Sequence, residues 1–258
     1  MRILVSNDDG ILASGLWALV SQLKNIAEVL VTAPDREQSA TGTAITLRQP
    51  LRVQDVVAPV AGVKAFSVEG TPCDSVILAL EKLVEKPVDL VVSGINRGLN
   101  LGDDMLISGT VGAAMQGYLR GLPAIAISVP FEYINWENAA RLAMLLAEKI
   151  DCGEISRDVF LNVNLPELPL AEIRGIKLTQ PAHKTHIDSV DEGHDGRHKY
   201  YWLVRRKLNS NAAENTDMWA LKQGFVSITT LNTTLFRKVV SGIDGSLCQR
   251  LFKQLKQA

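Results

Sequence analysis

Asp8 and Asp9 stand side by side in Ser6-Asn7-Asp8-Asp9-Gly10, directly after a short apolar run that begins at Arg2. Two carboxylates this close repel, and one takes up a proton unless a cation compensates. Carboxylates, amide oxygens and hydroxyls are hard donors that suit Mg²⁺, Mn²⁺ or Ca²⁺ rather than Zn²⁺. A plainer reading is that one Asp caps the following helix and the other is solvated.

Two further segments carry chemistry-bearing residues. In Gly94–Asp104, Gly94, Gly98 and Gly102 recur every four residues, with Asn96, Asn100 and Asp103 among them. Glycines let backbone amides approach a ligand closely, although turn-forming Asn residues make such a loop without any ligand. Ser108-Gly109-Thr110 then opens a helical pattern. Free amides and the positive end of the helix dipole make an anion site there, or Ser108 is a simple N-cap.

The elements that must position these residues alternate between strand and helix. Arg2–Ser6 and Glu28–Ala33 read as strands, the second stopped by Pro34, with Leu16, Leu19, Val20 and Leu23 at helical spacing between them. Ala44–Val53 and Lys64–Val68 read as further strands. Thr71-Pro72-Cys73-Asp74 is a helix start, with a capping box and Pro at the first turn, and the helix is expected to reach about Val84. Asp89–Ser93 and Ala124–Val129 are continuous apolar strands, and Gly109–Leu119 and Asn138–Lys149 are helices. The fold class expected is α/β, a Rossmann-like three-layer core with a mostly parallel sheet whose strands are buried on both faces. In such sheets ligands bind at the carboxyl ends of the strands, so the loops at Asp8, at Asp35–Ser39 and at Asn96 should meet at one edge.

The pattern changes near residue 165. Residues 1–165 are expected to form the catalytic core. Residues 166–258 should form a β-rich extension, with strands at Tyr200–Val204 and Phe225–Thr229, a polar hairpin over 183–199 and a closing amphipathic helix marked by Leu247, Leu251, Phe252 and Leu255.

Composition narrows the function classes. The chain has 258 residues, 47% of them hydrophobic and 21% charged, with a formal net charge of -1. No bulk basic field draws it to nucleic acid, so an anionic ligand must be captured locally. No apolar run is long enough to span a membrane. Met1-Arg2 runs straight into Ile3-Leu4-Val5, too short for a signal h-region. Cys73, Cys152 and Cys248 are odd in number and widely spaced, which argues for a reducing cytoplasm. Cys73 on a helical pattern reads as a small buried hydrophobe rather than a nucleophile. His183, His186, His194 and His198 fall in one polar stretch. They have zinc-like spacing, but without cysteines or a capped helix they read better as part of the hairpin. No dinucleotide glycine fingerprint and no Walker lysine motif are present.

Several segments together resemble the SurE (survival protein) family of 5'-nucleotidases. These are Ile3–Ile11, Ala33–Ser39, Gly70-Thr71-Pro72, Val92–Gly98, Asn100–Asp104, Ser108–Ala114 and Gly224–Thr229, in that order along the chain. The resemblance implies metal-dependent hydrolysis of nucleoside 5'-monophosphates, in some members also of 3'-monophosphates or short polyphosphate. It implies a metal held by Asp8, Asp9, Ser39 and Asn96. With one divalent ion, Mg²⁺ or Mn²⁺, at that place, Asp8 or Asp9 is expected on chemical grounds to take the proton of the attacking water. Phosphate would meet Asn96, Ser108 and the amides at Gly109 and Thr110. Arg36 and Arg97 are either clamps or exposed loop charges. The resemblance further implies a homodimer or homotetramer with a protruding hairpin at the interface, where Tyr200, Tyr201 and Trp202 would pack.

Three departures from the family pattern stand out: Leu12-Ala13-Ser14-Gly15, Ile107 where Tyr is common, and Thr230 where Pro is common. Loss of the Tyr leaves open how a base or ribose is contacted. Rival readings are a receiver-like module, for which the Asp89–Ser93 strand is followed by no phospho-accepting Asp, a metal-dependent nucleoside hydrolase, and a nucleotide-binding module without turnover.

Overall fold

The computed structural model describes residues 1–132, 136–183, 186–207 and 212–232, without the side chains of 186, 187 and 205–207. The expected closing helix, Cys248 and the side chain of His186 lie outside the described residues.

A nine-stranded sheet runs in the order β3-β4-β2-β1-β5-β6-β7-β11-β8. Its strands are β1 (Arg2–Ser6), β2 (Glu28–Pro34), β3 (Val53–Val56), β4 (Lys64–Val68), β5 (Leu90–Arg97), β6 (Ala124–Val129), β7 (Phe160–Asn164), β8 (Ile176–Thr179) and β11 (Val226–Leu231). The stretch from β4 to β7 is parallel throughout. β3 and β11 pair antiparallel to β4 and β7.

The helices follow from the pleat. In β1, Ile3 and Val5 face one layer and Leu4 the other; in β5, Val92 and Val91 divide the same way. The first layer is α1 (Ser14–Leu23) and α4 (Glu137–Asp151), packed through Leu16, Leu19, Ala139 and Ala143. On the other face lie α2 (Pro72–Leu78) and α3 (Gly109–Tyr118), packed through Val76, Ala113 and Ala114. Continuous apolar strands are thus covered on both sides, as a parallel sheet requires. The Thr71–Asp74 capping box forms, and α2 widens into a π turn over Ala79–Leu83.

The expected strand over Ala44–Val53 is not one; pairing starts only at β3. Side chains claim this segment instead. Asp74 accepts from the Thr46 amide at 2.8 Å and from its hydroxyl at 2.6 Å, and the Thr71 hydroxyl donates to the Ala44 carbonyl at 2.7 Å. Backbone groups satisfied by side chains need no ladder.

Beyond residue 165, β8 and β11 extend the main sheet, while β9 (His186–His194) and β10 (Lys199–Lys207) form a separate antiparallel ribbon. A short α5 (Asp217–Lys222) precedes β11. No helix among the described residues is long and apolar enough to cross a membrane.

Candidate active site

β1 leads to β2 on one side of the sheet, and the chain later returns to β5 on the other side of β1. Such a reversal opens a crevice at the carboxyl ends of the strands. Asp8, Asp9 and Asn96 all lie there.

The loops are laced together by backbone bonds. Ile11 donates its amide to the Pro34 carbonyl and Gln38 to the Asp8 carbonyl, each at 2.8 Å. Arg97 donates its amide to Asp9 Oδ2 at 3.2 Å. The register of β5 on β6 shifts between Ser93 and Asn96. A bulge of this kind re-aims the residues that follow it, and Asn96 and Arg97 line the crevice.

Asp8 is 5% exposed. Thr110 Oγ1 donates a short hydrogen bond to Asp8 Oδ1, and the Thr110 backbone also bonds to the Asp8 carboxylate. This approach of α3 depends on Gly109: a Cβ there would lie 2.8 Å from Asp8 Cβ. Burial pushes the Asp8 carboxyl above its ordinary range, against the lowering effect of Thr110. The Asp9 carboxyl is pushed up to about 6, first by burial and then by the Asp8 charge. Among the described residues, no lysine, arginine or histidine forms an ion pair with either. Neither aspartate caps α1, whose N-cap is Ala13 with no side-chain cap. The plainer reading of this pair, a cap and a solvated neighbour, therefore does not describe it.

Ser39 lines the crevice and donates to Glu37 Oε1 at 2.7 Å. Glu37 raises the pKa of both aspartates through its charge, a third carboxylate that the sequence motif did not single out. Asn96 donates its amide nitrogen to the Gly98 carbonyl at 2.6 Å, which leaves its oxygen as the free end. Ser108 caps α3, accepting from the Val111 amide at 3.1 Å. It also lines the crevice, and its hydroxyl still carries a proton to donate. Arg36 is exposed and lies 3.6 Å from Asp35. Arg97 turns its side chain to Phe131, donating from Nε to the Phe131 carbonyl at 2.7 Å.

The crevice, about 370 Å³, has a wall whose partners lie far apart in the sequence. Asn100 is buried and bridges two other strands. Its amide donates to Asn164 Oδ1 at 2.9 Å, its side chain to Ser128 Oγ at 2.8 Å, and its carbonyl accepts from Asn162 at 2.8 Å. Asp217 at the start of α5 accepts from the amides of Gly102 at 2.8 Å and Ala182 at 2.9 Å. Residues of β6, β7 and the start of α5, up to 115 positions away, thus hold the glycine loop.

The thiol of Cys73 is buried, and burial pushes its pKa up to about 11, so it packs as a hydrophobe. His194 Nδ1 accepts from the Gly196 amide at 2.9 Å, and His198 lies 3.9 Å from Asp195.

The family model for survival protein SurE matches residues 3–188. This chain belongs to the SurE family. It is 58% identical over 243 residues to the 5'-nucleotidase SurE of Dehalococcoides mccartyi (strain CBDB1), covering 93% of this chain and 92% of that one. With the 5'-nucleotidase SurE of Legionella pneumophila (strain Paris) it shares 44% over 234 residues, 90% of this chain and 91% of that one. The crystal structure of the SurE protein from Aquifex aeolicus superposes with a TM-score of 0.78 at 35% identity, over 99% of this chain and 100% of that one. The SurE core is therefore the mostly parallel α/β sheet expected from the strand pattern, with the extra hairpin beyond it.

Proposed function

We propose that this SurE chain is a phosphoric monoester hydrolase that releases phosphate from nucleoside 5'-monophosphates, with one divalent ion, Mg²⁺ or Mn²⁺, at the Asp8–Asp9 pair. Two observations bear on the assignment: relatives with 5'-nucleotidase names cover nine-tenths of the chain, and Asp8 is a buried carboxylate beside a second one, neither in an ion pair among the described residues. The second carries the reading, because Arg97 offsets only part of the cost at Asp9, and negative charge in a dry site is costly. The donors on hand fit a hard cation: the carboxylates of Asp8 and Asp9, the Ser39 hydroxyl and the amide oxygen of Asn96. Such an ion neutralises charge on a phosphoryl oxygen and lowers the pKa of water.

The chain's own residues do the rest. Asn96, the Ser108 hydroxyl and the amides at Gly109 and Thr110 bind phosphate oxygens at the positive end of α3. Thr110 also holds Asp8 in place. Asp8 or Asp9 accepts the proton of the attacking water as its oxygen bonds to phosphorus and the P–O5' bond breaks. The expected products are nucleoside and inorganic phosphate. Nucleoside 3'-monophosphates and short polyphosphate fit the same phosphate cradle.

Residues 1–165 act as the catalytic core and 166–258 as the assembling extension of a homodimer or homotetramer. Exposed Tyr200, Tyr201, Trp202 and Leu203 on β10 support that role. The free thiols of Cys73 and Cys152 agree with a cytoplasmic setting.

The test is phosphate release from adenosine monophosphate with Mg²⁺, with Mn²⁺ and with a chelator, for the parent and for Asp8→Asn. Turnover should need metal and fall roughly a thousandfold in the variant, whose circular dichroism should be unchanged. Full turnover by Asp8→Asn, or release of free base in place of phosphate, would overturn the assignment.

A further inference from the structure

Phe131 follows β6 by two residues and stands on the same sheet edge as Asp8 and Asn96. It is 63% exposed, and among the described residues that line the crevice it is the sole aromatic. A large apolar ring left open to water gives up the stability that covering it would bring. The ring is not loose, however. The Arg97 guanidinium carbon lies 4.3 Å from the ring centroid, and Arg97 Nε donates to the carbonyl of the same residue at 2.7 Å. A guanidinium over one face is a cation–π contact that fixes the plane of the ring. The preceding Pro130 is buried and has a restricted φ, which limits where the backbone can carry the ring. One face is therefore backed by a cation, and the exposed remainder borders a crevice with its acidic end at Asp8.

We propose that Phe131, braced by Arg97, is the stacking platform for the nucleobase of the substrate. This inference rests on the nucleotidase reading and deepens it, because it assigns the group that distinguishes a nucleotide from a bare sugar phosphate. The phosphate end of the crevice is built from hydroxyls, amides and carboxylates and offers no flat surface on which a base could stack. A flat π face provides one, and it takes purines and pyrimidines alike because every base presents a π surface. Ile107, 38% exposed on the same crevice, offers only aliphatic contact. Arg97 is a positioning residue here, acting through the ring and not on the phosphate.

The experiment compares adenosine monophosphate with ribose 5-phosphate, which has the phosphate and the sugar but no base, in parent, Phe131→Ala, Phe131→Trp and Arg97→Gln. Stacking on an aromatic ring contributes ~1–3 kcal/mol per base, so the kcat/KM ratio of the two substrates should fall roughly tenfold in Phe131→Ala. The loss should appear mainly in KM. Phe131→Trp should keep the ratio, and Arg97→Gln should lower it by a smaller factor. Equal losses on both substrates in Phe131→Ala mean a purely structural role and overturn the proposal, as does an unchanged ratio. Calorimetric binding of the same two compounds in the presence of Mg²⁺ separates the two readings. Absence of turnover in the parent sinks the nucleotidase assignment, while the binding ratio still decides whether Phe131 stacks.

Discussion

The strand-end floor around Asp8 and the β9–β10 ribbon are both incomplete in the single chain, in opposite senses. The floor is buried and short of positive charge: Asp8 and Asp9 carry raised pKa values and, among the described residues, no ion pair. The ribbon is open: Tyr201, Trp202 and Leu203 are exposed on a two-stranded sheet that, among the described residues, pairs only with itself. A dry electrostatic deficit calls for a small ion. An exposed apolar deficit calls for a large surface. The difference teaches that one fold can hold two kinds of unmet demand, if the rigid sheet carries the first and a peripheral ribbon the second.

The largest expected effect breaks the first half of this contrast. Asp8→Asn should lower metal-dependent phosphate release roughly a thousandfold, since stabilising charge on a phosphoryl oxygen involves several kcal/mol. A colorimetric phosphate assay reads it directly.

Proton competition sharpens the same half. Asp9 titrates near 6 in the metal-free chain, so a proton and a cation compete for it, and metal affinity should weaken as pH falls through about 6. The stability of the metal-free chain should run the other way. A carboxylate whose folded pKa is raised binds more protons folded than unfolded. Its contribution is therefore fully present below the ordinary value of 3.8 and is lost as pH rises through about 6. Metal titrations and denaturant melts between pH 4 and 8 check both signs.

The ribbon should answer to bulk and not to charge. Trp202→Asp is expected to weaken self-association by tenfold or more, since buried Trp anchors commonly contribute ~2 kcal/mol. Light scattering over a dilution series measures it. Added metal should leave that midpoint unmoved.

A smaller effect returns to the floor. Without metal, Asp8→Asn should raise stability by about 1 kcal/mol, because a functional site gives up stability that a neutral isostere restores. Chemical denaturation in chelator tests it. A loss of stability would mean that Thr110 and the sheet already satisfy the carboxylate.

Much of this was legible locally. Apolar runs of five or six residues mark the parallel strands, because burial on both faces removes alternation, and helical spacing marks α1, because a helix buried on one face leaves a periodic trace. The capping box at Thr71–Asp74 and the Ser108 cap were readable because a cap involves neighbours three residues apart. Residues 44–52 were misread as a strand because their partners, Thr71 and Asp74, lie more than 25 positions on. Glu37, Asp217 and Phe131 carried no local signal, and Asn100 only its place in the glycine loop. Each acts on residues that only the folded sheet brings near.

The amino-acid sequence by itself determined that an acidic pair would end a buried strand, and that a helix would start after the glycine loop. Both follow from short-range sterics, capping and hydrophobic pattern. Tertiary structure alone decided that Thr110 would meet Asp8, that a bulge would place Asn96 on the crevice, and that Arg97 would brace an aromatic ring at its mouth. Those contacts join residues separated by 34 to 102 positions, and a linear pattern cannot register a distance that the closing of the sheet creates.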